Sequence, residues 1–199
     1  MAFYTAHSRW LGLTLISFLA GTAIALLPIG GRAQACALGT LEAPSESIRR
    51  FRSDRWNISF SLPANYRAML RRTGHITLHD PAAFEFLQCL ARSGRYGQVP
   101  LHVTVELAPV STDSTHTLEQ LIRRKRPWVD YYNPTFTTTT LAEQPALAYD
   151  YTNEIYGVEI ANVSFLQINE NVLVTVTGPS RDPVFQTVLS TFELGRVDN

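Results

Sequence analysis

The sequence is short of lysine and cysteine, and each shortage excludes something. Of its 17 basic side chains only Lys125 is a lysine; the rest are arginines. Two cysteines, Cys36 and Cys89, are too few for a disulfide-stapled mini-scaffold or a four-cysteine zinc site. Charged residues make up 17% of the chain and sum to zero, so no overall field draws it to nucleic acid. With 11 Gly and 11 Pro it is neither collagen-like nor of low complexity. An apolar share of 45% excludes a disordered chain, and 199 residues suit one domain of ordinary size. Missing too are a phosphate-cradling glycine loop, a Gly-x-Ser-x-Gly elbow and a His-Glu-x-x-His pair. The sequence therefore offers no catalytic residue and no cofactor site.

What is present begins with an export layout. Residues 1–9 carry positive charge and no acid, and an apolar stretch follows over 10–27. Pro28, Gly30 and Gly31 then break it, and Ala33-Gln34-Ala35 places small residues at both positions a signal peptidase reads. The expectation is a secretory signal over 1–35, cleaved after Ala35. The alternative is an uncleaved anchor, since the apolar stretch is close to the shortest that spans a bilayer. A linker over 36–54, one domain over 55–195 and a tail over 196–199 complete the expected organisation. Without the leader, 15 cations face 17 acids, net −2, divided as +4 over 36–133 and −6 over 134–199. A two-signed surface of this kind suits a protein partner, but a solvated arginine-rich surface is the favoured account.

Hydrophobic periodicity predicts the elements. Trp56, Ile58, Phe60 and Leu62 alternate with polar residues, as in a half-buried strand. Strands follow over 66–72 and 75–79, joined by Thr73-Gly74. Asp80-Pro81 opens a helix that Gly94 can end. Leu101, Val103, Val105 and Leu107 face one side of the next strand, and His102, Thr104 and Glu106 the other. Thr117 and Gln120 form a capping-box pattern, and Pro127 stops that helix. Strands over 136–141, 146–151, 158–168 and 172–177 precede a last helix opened by Asp182-Pro183. Mostly antiparallel connections with helices covering one sheet make the fold class α+β.

The strand 56–63 (Trp-Asn-Ile-Ser-Phe-Ser-Leu-Pro), the strand 101–107, the hairpin around Gln144-Pro145-Ala146 and the closing Val188-Leu189-Ser190-Thr191-Phe192 together resemble the PsbP-like family. That family comprises photosystem II extrinsic proteins and relatives built as a sheet sandwiched by helices. The resemblance covers about residues 55–194 and carries no catalytic residue over. It implies an accessory or binding protein of the periplasm or thylakoid lumen, acting on a protein partner or membrane complex.

Export permits a disulfide between Cys36 and Cys89, and closing so long a loop constrains the unfolded chain by ~4 kcal/mol. Lipidation of Cys36 and free thiols are the other two readings. The sharpest chemical candidates are histidines. His75 and His79 share a strand face, and with His102 and Glu106 they could gather around zinc if the two strands are neighbours. Such a site would belong to a small metal-dependent enzyme or hydrolase; simple alternation instead explains all four as outward-facing residues. A structural cell-envelope protein is a further class. Arg123, Arg124, Arg126, Trp128 and Tyr131 form the candidate partner surface, cations at a helix end followed by aromatic anchors.

Overall fold

A computed structural model of the chain describes residues 36–97, 99, 101–111, 116–167 and 171–195. The expected signal over 1–35, the tail over 196–199 and the Asn169-Glu170 part of the last connection lie outside the described residues. The elements in order are β1 (Ile48–Ser53), β2 (Ile58–Pro63), β3 (Arg67–Leu70), β4 (Ile76–His79), α1 (Pro81–Ser93), β5 (Val103–Pro109), α2 (Leu118–Lys125), α3 (Trp128–Tyr132), β6 (Thr137–Leu141), β7 (Gln144–Asn153), β8 (Val158–Gln167), β9 (Val172–Pro179), α4 (Pro183–Thr191) and β10 (Glu193–Leu194).

The fold is α+β with antiparallel ladders, and the helix starts sit where the cap chemistry predicts. The Asp80 carboxylate accepts from the amides of Ala82 and Ala83, and Gly94 ends α1 in the left-handed conformation at φ 64°. Thr117 and Gln120 form the reciprocal capping box of α2. Asp182 accepts from the amide of Val184 at the start of α4.

Two expectations are corrected. The segment 36–54 is not all linker, because Ile48–Ser53 is a strand paired with β2 in the register Phe51↔Phe60. Arg50 and Arg52 point outward while Phe51 stacks on Phe60 at 4.9 Å, so one inward aromatic and a full hydrogen-bond ladder hold an arginine-rich edge strand. The strands also form two sheets rather than one: β1-β2-β10, and β3-β4-β5-β9-β8-β7-β6. Pro63, which has no amide hydrogen to donate, closes β2 before the chain crosses to the larger sheet.

The small sheet and α4 cover one face of the large one. Ile58, Phe60 and Leu62 share a dry cluster with Val103, Val105, Leu107, Val174 and Val176. Phe192 bridges the layers, 5.8 Å from Phe60 and 5.9 Å from Phe165. On the opposite face α2 and α3 pack Ile122 and Val129 against Tyr149 and Leu173. No helix among the described residues is long and apolar enough to cross a membrane.

Candidate functional site

The face of the large sheet under α2 and α3 is polar where its other face is aliphatic. Register makes it so. Thr77, Thr104, Thr177, Asn162 and Tyr149 are successive cross-strand partners from β4 to β7. Beside that row run Glu106, Thr175 and Ser164. Because side chains alternate, the members of these two rows reach the same side.

Arg126, just past α2, closes over these rows. Its Nε and Nη2 donate to Glu106 Oε2 at 3.1 and 2.8 Å. Nη1 donates to Tyr149 Oη at 2.9 Å and Asn162 Oδ1 at 2.8 Å, and Nη2 also donates to Thr177 Oγ1 at 3.1 Å. Every guanidinium N–H thus has an acceptor, and the Trp128 ring lies 5.0 Å from its carbon. With 6% of its surface accessible, Arg126 is not a partner contact, which corrects the sequence expectation. It is the pin that fixes the α2–α3 corner to the sheet. The backbone turns inward there because Pro127 ends the helix and leaves residue 126 facing the strands.

The rest of that stretch divides. Arg123 is held by Glu119 at 2.9 Å and Asp130 at 2.7 Å. Trp128 is half-buried, 4.9 Å from Tyr151 between ring centres. Tyr132 stacks on Tyr151 at 4.5 Å and carries Tyr131 edge-on at 5.0 Å. Arg124, Lys125 and Tyr131 are exposed, Tyr131 to 75%.

The histidine strands are direct neighbours, yet the side chains form two pairs. His75 Nε2 lies 3.8 Å from Glu106 Oε1, and the His79 and His102 rings are 4.5 Å apart. Among the described residues no group of three or more His, Cys, Asp or Glu stands together to hold a metal ion. Nor is His79 outward-facing, as alternation suggested; it is 2% exposed, and its Nε2 meets Thr77 Oγ1 at 2.9 Å. A cavity of about 90 Å³ adjoins it, with Leu41, Glu42, Tyr66 and Asp182 in its walls. Burial, with the His102 and Arg71 charges beside it, pushes the His79 imidazole down to about 3, so it is neutral at pH 7. Burial first, then Asp182 and Asp80, pushes the Tyr66 phenol up to about 12.

Cys36 and Cys89 form a disulfide, the first of the three readings. It ties the start of the described chain to α1. Glu42 donates its amide to Asp80 Oδ1 at 3.4 Å, and Asn65 brackets Ala43 and Ser45, so residues 36–45 lie as a strap beside the His79 cavity.

Sequence reasoning missed Tyr149, Asn162 and Thr177. For Asn162 and Thr177 the signal was there: in 158–168 and 172–177, polar residues alternate with apolar ones as they do in 101–108. Only the register shows that the three alternations coincide.

No protein-family model and no curated protein sequence matches this chain. Among solved structures, the solution structure of cyanobacterial PsbP (CyanoP) from Synechocystis sp. PCC 6803 superposes with a TM-score of 0.50 at 12% identity, covering 79% of this chain and 97% of that one. A crystal structure from Bacteroides thetaiotaomicron VPI-5482 aligns with a TM-score of 0.41 at 11% identity, over 75% of this chain and 49% of that one. The fold is PsbP-like. At such identity the likeness extends to the fold alone and assigns no role to any residue.

Proposed function

We propose that this chain is an exported accessory domain without a catalytic step of its own, which docks on an acidic face of another protein or membrane complex, in a photosynthetic setting. The observation that carries the reading is the α2–α3 corner. Arg126 locks it to the sheet, and the Trp128–Tyr151–Tyr132 stack stiffens it, while Arg124, Lys125 and Tyr131 are exposed at its surface. Aromatic side chains lose little entropy on contact, and aromatics and arginines dominate interface energetics. The contact set on this reading is Arg124 and Tyr131, with Trp128 and Arg123 supporting them from beneath. The PsbP-like fold and the export layout support the setting, and the cations support an acidic partner.

The test is recovery of a partner from detergent-solubilised membranes of the source organism on the immobilised full chain. Arg124→Ala with Tyr131→Ala should abolish recovery, and wild-type recovery should fall as salt rises, because exposed charge pairs are screened beyond about 10 Å at 0.1 M ionic strength. Unchanged recovery by the double variant would remove this corner as the docking surface.

A further inference from the structure

We propose that the groove beside the β3–β4 turn binds an organic anion, a carboxylate or phosphate carried on a flat apolar body. The groove is an open hollow of about 410 Å³, within the size range of small-ligand sites. The turn that forms it needs Gly74, whose φ of 89° puts the backbone in the left-handed region. Three arginines, Arg55, Arg71 and Arg72, are among its lining residues, and none of those residues carries a carboxylate. Among the described residues neither Arg55 nor Arg72 has an acidic side chain within ion-pair distance. Arg71 is fixed by its own bonds, Nε donating to Thr77 Oγ1 at 3.1 Å and Nη2 beside His79 Nε2 at 3.5 Å. Those bonds turn the Arg71 guanidinium toward Thr77 and His79, which leaves Arg55 and Arg72 as the unpaired cations of the hollow.

The opposite wall is apolar. Leu70 is 58% exposed although it ends a strand, and Trp56 and Pro109 continue the surface. Arg55 lies over the Trp56 ring at 4.8 Å, and the indole Nε1 has no hydrogen-bond partner. A bare phosphate would satisfy the cations and leave this wall wet, whereas a neutral aromatic would cover the wall and leave the cations unmatched. Only a ligand with both parts uses both. The larger hollow of about 540 Å³ on the small sheet lacks this character, since its Arg50 pairs with Glu193 and its Arg52 with Asp54.

The experiment titrates the full chain at pH 7 with 2-naphthoate, with neutral 2-naphthylmethanol and with inorganic phosphate, following the Trp56 indole N–H resonance and the heat of binding. 2-Naphthoate should shift that resonance and bind more tightly than either partial mimic. Arg55→Ala with Arg72→Ala should weaken it at least about tenfold, the scale of losing a charge-assisted hydrogen bond. Leu70→Ser should weaken 2-naphthoate and leave phosphate unchanged. Both arginines are exposed, and Arg55→Gln with Arg72→Gln serves as a second variant should the first lose its fold. The proposal fails if 2-naphthoate binding survives both arginine pairs, if 2-naphthylmethanol binds as tightly, or if phosphate alone matches it.

Discussion

Both faces of the large sheet are covered, but by opposite chemistry. One face is aliphatic, with Val105, Val174, Val176 and Phe165 fully buried against the small sheet and α4. The other buries an arginine, an asparagine and three hydroxyl-bearing residues, Ser164, Thr175 and Tyr149. The aliphatic face is non-directional and tolerates any filling of similar volume. The polar face is stable only while each donor meets its acceptor, so it positions the α2–α3 corner in one way. A surface presented for docking benefits from that kind of support.

The largest effect that separates the faces is Arg126→Ala. It strands the Glu106 carboxylate and three polar partners, and should cost about 3–5 kcal/mol in denaturant unfolding. Leu107→Ala on the dry face should cost about 2–5 kcal/mol, so the single variants overlap. Rescue tells them apart: Arg126→Met combined with Glu106→Leu should be more stable than Arg126→Met alone, with a coupling of about 1–3 kcal/mol. No coupling in that cycle would mean that the buried pair is not the organising contact.

Next in size is a pH effect confined to the polar face. His79 in the folded chain resists protonation down to about 3, whereas the unfolded imidazole accepts a proton near its usual 6.5. The unfolded state therefore binds more protons between those values, and stability falls as pH drops through that window. The slope from this residue is up to about 1.4 kcal/mol per pH unit. His79→Gln should flatten it, measured as the change in unfolding free energy between pH 7 and pH 4.5; an equal slope in the variant would refute the assignment. The smallest effect is Arg124→Ala, two residues from the pin but exposed, which should stay within about 0.5 kcal/mol of wild type by thermal unfolding. A large loss there would mean that Arg124 shares the structural role of Arg126.

Local chemistry made much of the fold legible. Asp80, Thr117 and Asp182 marked helix starts because a cap is a bond between residues two or three apart. Alternation marked β5, where each second residue is apolar. The strand at Ile48–Ser53 was hidden, because its arginines read as solvated loop and Phe51 is the one apolar side chain on its inward side. Its partner, ten or so residues away in sequence, supplies the ladder that composition does not record.

The candidate sites show the same division more sharply. Arg123, Arg124, Lys125 and Arg126 look alike as a run of cations. The sheet beneath distinguishes them, since only the last meets Glu106, Asn162, Tyr149 and Thr177. Likewise the sequence placed two histidines on one strand face, and covering by the cavity walls around Leu41 and Tyr66 made one of them a buried neutral ring. Sequence by itself determined the helix caps, the turns and which strand residues share a side, because those depend on neighbours along the chain. Tertiary structure alone decided which strands adjoin, which arginine is buried and which remain exposed, because burial and pairing are set by residues distant in sequence.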